Sequence, residues 1–401
     1  PDKEYDIICS DIVNFKLVND IFGIPAGDRL LRMVAQEYTA LTEGRGICSH
    51  FHADQFACII EHNWDYTETM FQDSCSRINL LSQSQNIVMK WGIYRVEDRN
   101  VSVERMCDRA LLAVRSIKGI YKKFFAYYDD ELRSKLLQEQ EIVDSMESAL
   151  AQGQFEIYLQ PKYRLKDNRM SGAEALVRWN HPEWGLQSPA VFIPLFERNG
   201  FITRLDQYVW DKVCAVMQSW KNRGLPPLPV SVNVSRADIY NADLTAVLMG
   251  LLQKYELPPA SLHLEITESA YASDPEQIMA AIHALRRAGF VTMMDDFGSG
   301  YSSLNMLKDI DVDVLKVDMN FLSGGMEAEK GKIILSSVIQ MAGRLGIPVI
   351  VEGVETQEQR DFLSTVGCDY VQGYYYAKPM PEEEMEEFML QKDERYALKR
   401  A

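Results

Sequence analysis

Seven polar residues stand where short, mostly apolar runs end: Glu174, Asn233, Glu265, Asp295, Asp296, Lys316 and Glu352. Val291-Thr292-Met293-Met294 leads into Asp295-Asp296-Phe297-Gly298, and Pro348-Val349-Ile350-Val351 leads into Glu352-Gly353. Carboxylates brought together repel one another unless cations sit between them, so acids gathered from distant sequence point to a bound metal. Glu174, Glu265 and Asp295 with the amide of Asn233 form a hard oxygen set, suited to Mg²⁺ or Mn²⁺ rather than Zn²⁺. The adjacent Asp295 and Asp296 make a second metal reasonable. Two metals about 3.5–4 Å apart are the usual clamp for in-line attack on a phosphodiester.

Each of these residues also has a plainer use. Residues 296–300 make an ordinary turn, Lys316 an ion pair with Asp318, Glu352 and Glu355 a solvated loop, and Glu265 with Glu268 a helix cap. Independent structural uses have no reason to fall together on strand ends, and that coincidence favours the joint reading.

The elements that would position them form a repeating pattern. From Phe155 strand and helix alternate: strand candidates run over 156–162, 173–178, 230–235, 262–268, 291–296, 313–318, 348–353 and 370–376, with helical patterns between. Gly289 and Gly346 each follow an amphipathic stretch, as helix C-terminal glycines do. Eight such units over about 240 residues predict a β/α barrel of the TIM type, with its functional residues at the C-terminal ends of the strands. Residues 1–129 read as a separate α/β domain, with strands at 5–10, 48–51, 56–60, 90–96 and 124–128 and helices at 28–38 and 103–118. A linker helix spans 130–152 through Leu132, Leu136, Leu137, Ile142, Val143, Met146 and Leu150. The barrel domain covers 153–395.

Composition narrows the partners. Of the 401 residues 47% are apolar, enough for real cores, and the net charge of −16 disfavours nucleic acid polymers and anionic membrane surfaces. A divalent metal or local Arg and Lys still admits one anionic ligand to a cleft. The seven cysteines are scattered without a C-x-x-C, as reduced thiols of a cytoplasmic protein are. No apolar run approaches the ~18 residues of a membrane span. The chain opens at Pro1 and reads as a fragment, so membrane attachment is expected only through an upstream segment.

Several motifs then occur in one order: Gln160-Pro161, Glu174-Ala175-Leu176-Val177-Arg178-Trp179, Ser231-Val232-Asn233-Val234-Ser235 and Glu265-Ile266-Thr267-Glu268. Asp295-Asp296-Phe297-Gly298-Ser299-Gly300-Tyr301, Lys316-Val317-Asp318, Glu352-Gly353-Val354-Glu355 and Gln372-Gly373-Tyr374 follow. Over about residues 140–395 the chain resembles EAL domains, which hydrolyse cyclic di-GMP to linear pGpG. The resemblance implies two Mg²⁺ or Mn²⁺ ions, the first held by Glu174, Asn233, Glu265 and Asp295. It implies a second at Asp295, Asp296 and Glu352, with Lys316 orienting or deprotonating the attacking water. It further implies substrate contacts from Gln160, Leu176, Arg178, Asp318 and Gln372, and loop support from Glu268 and Glu355. Homodimer contacts near residues 296–304 are also implied. Val191 departs from the pattern, where the family often has an acid. The alternative is a catalytically silent receptor for the same dinucleotide; such members typically lose metal ligands that this chain keeps.

The first domain resembles GGDEF domains through Asp11-Ile12-Val13-Asn14-Phe15-Lys16, Asn19-Asp20, Gly23 and Gly27-Asp28. Its signature is altered to His52-Ala53-Asp54-Gln55-Phe56. Two glycines that would let the hairpin approach a phosphate are replaced by residues with side chains, and one carboxylate by an amide. A degenerate, regulatory domain without cyclase activity is expected. Asp11, Asn19, Asp20 and Asp54 remain as a GTP site, the other reading being a packing or dimerisation module without nucleotide.

Overall fold

Buried and half-buried residues alternate along Gln55–Glu61 in the sheet of the first unit, Pro1–Glu141. The computed structural model describes residues 3–62, 65–82, 87–240, 243–298, 311–319 and 327–397. Strands β1 (Tyr5–Ile12), β2 (Gly46–His52), β3 (Gln55–Glu61), β4 (Met89–Arg95) and β5 (Phe125–Tyr127) form one sheet in the order β2-β3-β1-β4-β5. Central β1 is buried almost throughout because helices cover both of its faces. Helix α1 (Phe15–Phe22) buries none of its residues, whereas α2 (Ile24–Thr42) and α3 (Glu68–Ser82) pack on Ile8, Ile12 and Phe56. Helix α4 (Val103–Ser116) covers Ile7, Cys9 and Tyr94 on the other face. The hairpin expected around 52–55 is present, and Ala53 turns it with φ +50°.

The expected linker helix is α5 (Asp130–Ala151). The boundary between the two units falls inside it, after Glu141. Its later residues Ile142 and Ala149 belong to the core of the second unit.

The second unit is a closed barrel. Strands β6 (Phe155–Arg164), β7 (Arg169–His181), β9 (Val230–Asn233), β10 (Leu262–Thr267), β11 (Val291–Phe297), β12 (Val314–Asp318), β13 (Val349–Glu352) and β14 (Tyr370–Val371) pair in that order, and β14 pairs back onto β6. Two short strands, β8 (Gly185–Gln187) and β15 (Met380–Pro381), lie outside the ring on β7 and β6. The strand–helix alternation predicted from residue 155 is corrected at its first step. A short turn, not a helix, joins β6 to β7, so β6 runs antiparallel to both β7 and β14. Successive strands from β7 to β14 are parallel.

Strand period two divides the buried residues. Leu262, Leu264 and Ile266, with Leu315, Val317, Val349 and Val351, join the large core that includes the surrounding helices. Met293, Val314 and Ile350 form a separate small apolar cluster. The predicted strand 370–376 is shorter than expected. After Val371 the chain turns at Gly373, where a Cβ would lie 2.1 Å from the carbonyl oxygen of Val354.

Candidate active site

Lys316 is fully buried on β12, with its ammonium surrounded by acids from four other strands. Its Nζ lies 3.4 Å from Glu174 (β7), 2.5 Å from Glu265 (β10), 3.1 Å from Asp295 (β11) and 2.6 Å from Glu352 (β13). Each residue ends up there because alternate positions on a barrel strand face inward and these strands run in parallel. Register places Asn233 beside Glu265 and Asp318 beside Glu352.

A bulge brings Asp295 and Asp296 together. The β11–β12 register shifts between Met294 and Phe297, and Asp296 takes φ +56°, a left-handed conformation that Asp tolerates better than most residues. The Asp296 N–H donates to Asp295 Oδ1 at 2.9 Å. Glu268 accepts the backbone N–H of Gly298 at 2.7 Å, holding the start of the following loop. Residues Ser299, Gly300 and Tyr301 of that motif, and all but 296–298 of the stretch 296–304 where dimer contacts are expected, lie outside the described residues.

Gln372 is buried and donates to Glu174 Oε2 at 2.6 Å and Gln160 Oε1 at 3.0 Å, while Gln160 donates to the carbonyl of Ala377 at 3.1 Å. Leu176 and Arg178 follow Glu174 on the same face of β7 at period two. Arg178 bonds the carbonyl of Val177 and lies over the ring of Tyr158. A cavity of about 490 Å³ is lined by Gln160, Asp318, Glu352, Glu355, Gln372 and Tyr374. A second cleft, of about 690 Å³, lies at the opposite ends of β11 and β12, where Arg286 is already paired with Asp313. It holds none of the predicted residues. Val191 lies in the first turn of the helix Pro189–Asn199, partly exposed.

The electrostatics follow from burial. Removal from water pushes the carboxyls of Glu174, Asp295, Asp296 and Glu352 above the usual range, and neighbouring acids add to this while Lys316 offsets part of it. Burial would raise Glu265 as well, but Lys316 and Lys162 together hold it well below the usual range. Burial would lower the Lys316 ammonium; its four carboxylates outweigh that and raise it. Four acids thus touch Lys316, one of them also touches Lys162, and the exposed Asp296 lies next to Asp295. Among the described residues no group of three or more His, Cys, Asp or Glu side chains is arranged to hold a metal ion. The acids converge on the Lys316 ammonium instead.

Lys162 was not singled out by sequence. It sits two residues after Gln160 on β6, 3% exposed, and the alternation along that strand was the available signal. Trp210 was also missed: its Nε1 donates to the carbonyl of Asn233 at 3.0 Å.

In the first unit Lys118 pairs with Asp11 at 2.8 Å, and Asp54 accepts the N–H of Ile12 at 3.2 Å. Burial, with the charge of Asp11, raises the Asp54 carboxyl. Gly27 packs so closely on Asn19 that a Cβ would lie 1.9 Å from its Oδ1, and Asp20 is exposed.

The profile of the EAL domain matches residues 143–379, more than half of the chain and the whole of the described acid cluster. The chain belongs to the EAL domain family. Residues 2–121 of this EAL protein match the diguanylate cyclase GGDEF domain. It is 30% identical to the cyclic di-GMP phosphodiesterase NbdA of Pseudomonas aeruginosa over 392 residues, 96% of this chain and 50% of that protein. It is 33% identical to the cyclic di-GMP phosphodiesterase RocR of the same organism over 271 residues, 68% of this chain and 69% of that one. The structure titled PaMucR phosphodiesterase, c-di-GMP complex, is 33% identical with a TM-score of 0.58, covering 61% of this chain and 99% of that chain. This EAL protein spans about half the length of the first curated relatives it matches. Among its described residues no helix is long and apolar enough to cross a membrane.

Proposed function

We propose that this chain is a metal-dependent phosphodiesterase that opens cyclic di-GMP to linear pGpG. The observation that carries the reading is the ring of acids from four strands around buried Lys316, beside a cavity of about 490 Å³. Its hard oxygen donors, gathered from four strands, fit Mg²⁺ or Mn²⁺. Glu174, Asn233, Glu265 and Asp295 would hold the first ion, and Asp295, Asp296 and Glu352 the second. When bound, such ions acidify a water and stabilise charge on the phosphate.

The chain's own residues do the rest. Arg178 pairs with a phosphate, for which it must leave the Val177 carbonyl. Gln160, Leu176, Asp318 and Gln372 line the dinucleotide's seat, and Glu268 and Glu355 steady the loops beside it. Lys316, at the centre of the acids, orients or deprotonates the attacking water. One water is consumed, one phosphorus–O3′ bond breaks, and a 5′-phosphate and a 3′-hydroxyl remain.

The first unit serves as a degenerate, regulatory GGDEF domain. Ala53 occupies the left-handed turn position that favours glycine, and Lys118 already compensates Asp11. GTP held by Asp11, Asn19, Asp20 and Asp54 is one form of that regulation; homodimerisation is the other.

The test is turnover of cyclic di-GMP with saturating Mn²⁺, with and without GTP, followed by product mass. Wild-type protein should yield pGpG, and Glu174→Ala should yield none. Tight binding of cyclic di-GMP without turnover by the wild type would sink the enzyme and leave a receptor.

A further inference from the structure

Lys162 crosses the barrel interior from β6, the one antiparallel strand of the ring. Its Nζ donates to Ser231 Oγ on β9 at 2.5 Å and to Glu265 Oε1 on β10 at 3.0 Å, and approaches Met293 Sδ on β11 at 3.9 Å. Lysine and glutamate are both buried, at 3% and 0% exposure. Glu265 is therefore divided between two ammonium groups: Oε1 rests on Lys162, and Oε2 takes Lys316 at 2.5 Å.

The two lysines differ in what surrounds them. Lys316 touches four acids, so a cation arriving among those acids competes with it for every one. Lys162 has Glu265 as its acid partner, and its hydroxyl and thioether contacts lie on the strands either side of β10. Arrival of a cation leaves those contacts in place. Ser231 is itself fixed, since its hydroxyl lies 3.4 Å from the carbonyl of Ala173.

We propose that Lys162 is a positioning residue of the metal site: it clamps one oxygen of Glu265 so that the other remains turned to the mouth when Lys316 gives way. The inference rests on the metal-dependent reading above. Partners that orient a metal ligand typically contribute 10–100-fold to affinity, which sets the expected size of the effect.

The experiment is Mn²⁺ titration of the full chain without substrate, following free Mn²⁺ by electron paramagnetic resonance. Lys162→Met should weaken binding by about 10–100-fold, whereas Lys162→Gln, which keeps a donor for Glu265, should recover part of the loss. Ser231→Ala, which changes no charge, should weaken binding by a smaller factor and keeps the test available if Lys162→Met does not fold. Circular dichroism at the titration temperature confirms folded protein in each case. Folded Lys162→Met or Ser231→Ala that binds Mn²⁺ as the wild type does would overturn the inference and leave the phosphodiesterase reading standing. A wild type that takes up no Mn²⁺ would overturn that reading, and the inference with it.

Discussion

Lys316→Met removes the one cation that touches four acids while keeping most of the side-chain volume. What is left is Glu174, Glu265, Asp295 and Glu352 around an apolar chain, with Lys162 compensating Glu265 alone. Removing one partner of a buried ion pair costs about 3–5 kcal/mol because the other charge stays uncompensated. The acids recover part of that by taking up protons, at about 1.4 kcal/mol for each unit by which a carboxyl's pKa rises. The barrel is therefore expected to lose at most about 3–5 kcal/mol at neutral pH without divalent ions, and less in mild acid. Mn²⁺ at a hundred times its dissociation constant should return about 2.7 kcal/mol. Urea unfolding followed by tryptophan fluorescence reads this, since Trp179, Trp184, Trp210 and Trp220 all lie in the barrel unit. Two units need two transitions, and the barrel's is the one to compare. A variant as stable as the wild type at neutral pH in a chelator would refute the reasoning, because the four acids would then carry no charge needing Lys316.

Further outcomes follow from the same geometry. Glu174, Asp295, Asp296 and Glu352 have carboxyls raised in the folded protein, so the folded state binds more protons than the unfolded one. Metal-free barrel stability should thus fall as pH rises from the ordinary carboxylate range through the raised values, and added Mn²⁺ should flatten that slope in urea titrations. Gln372→Ala leaves Glu174 Oε2 without its 2.6 Å donor and should lower barrel stability by about 1–3 kcal/mol, measured by the same unfolding curve. Trp210→Phe strips the carbonyl of Asn233 of its hydrogen bond, so Mn²⁺ affinity should drop along with stability; unchanged affinity by calorimetry would separate Asn233 from the metal. Ala53→Gly relieves a left-handed alanine and should stabilise the first unit by about 1 kcal/mol in thermal melts.

Much of the barrel could be read from the chain because period-two patterning and strand-end acids are local signals. Asp295 and Glu352 close apolar runs, whereas Glu174, Glu265 and Lys316 fall inside their strands, and the structure brings all five together. The antiparallel β6 was not legible, since a strand's direction depends on its partners and Phe155–Arg164 carries no local mark of it. Lys162 was hidden for a related reason: a lysine within a strand usually faces solvent, and its contact with Glu265 spans 103 residues. The Asp296 bulge left only the adjacency of two acids as its trace. The convergence of four acids on one ammonium, rather than on an open metal position, follows from side-chain packing that motif order does not encode.

Closure of the ring by β14 on β6 also sets a timetable. Gln372 meets Gln160 and Glu174 across 212 and 198 residues of chain. At about 5–20 residues per second of synthesis, Glu174 is made about 10–40 s before the glutamine that completes its surroundings. Until then β6 keeps an unpaired edge, the kind of surface on which strands of other chains assemble. A chain stopped before residue 370 would have all five site acids and no closed ring to hold them, and its open β6 edge would favour pairing with other chains.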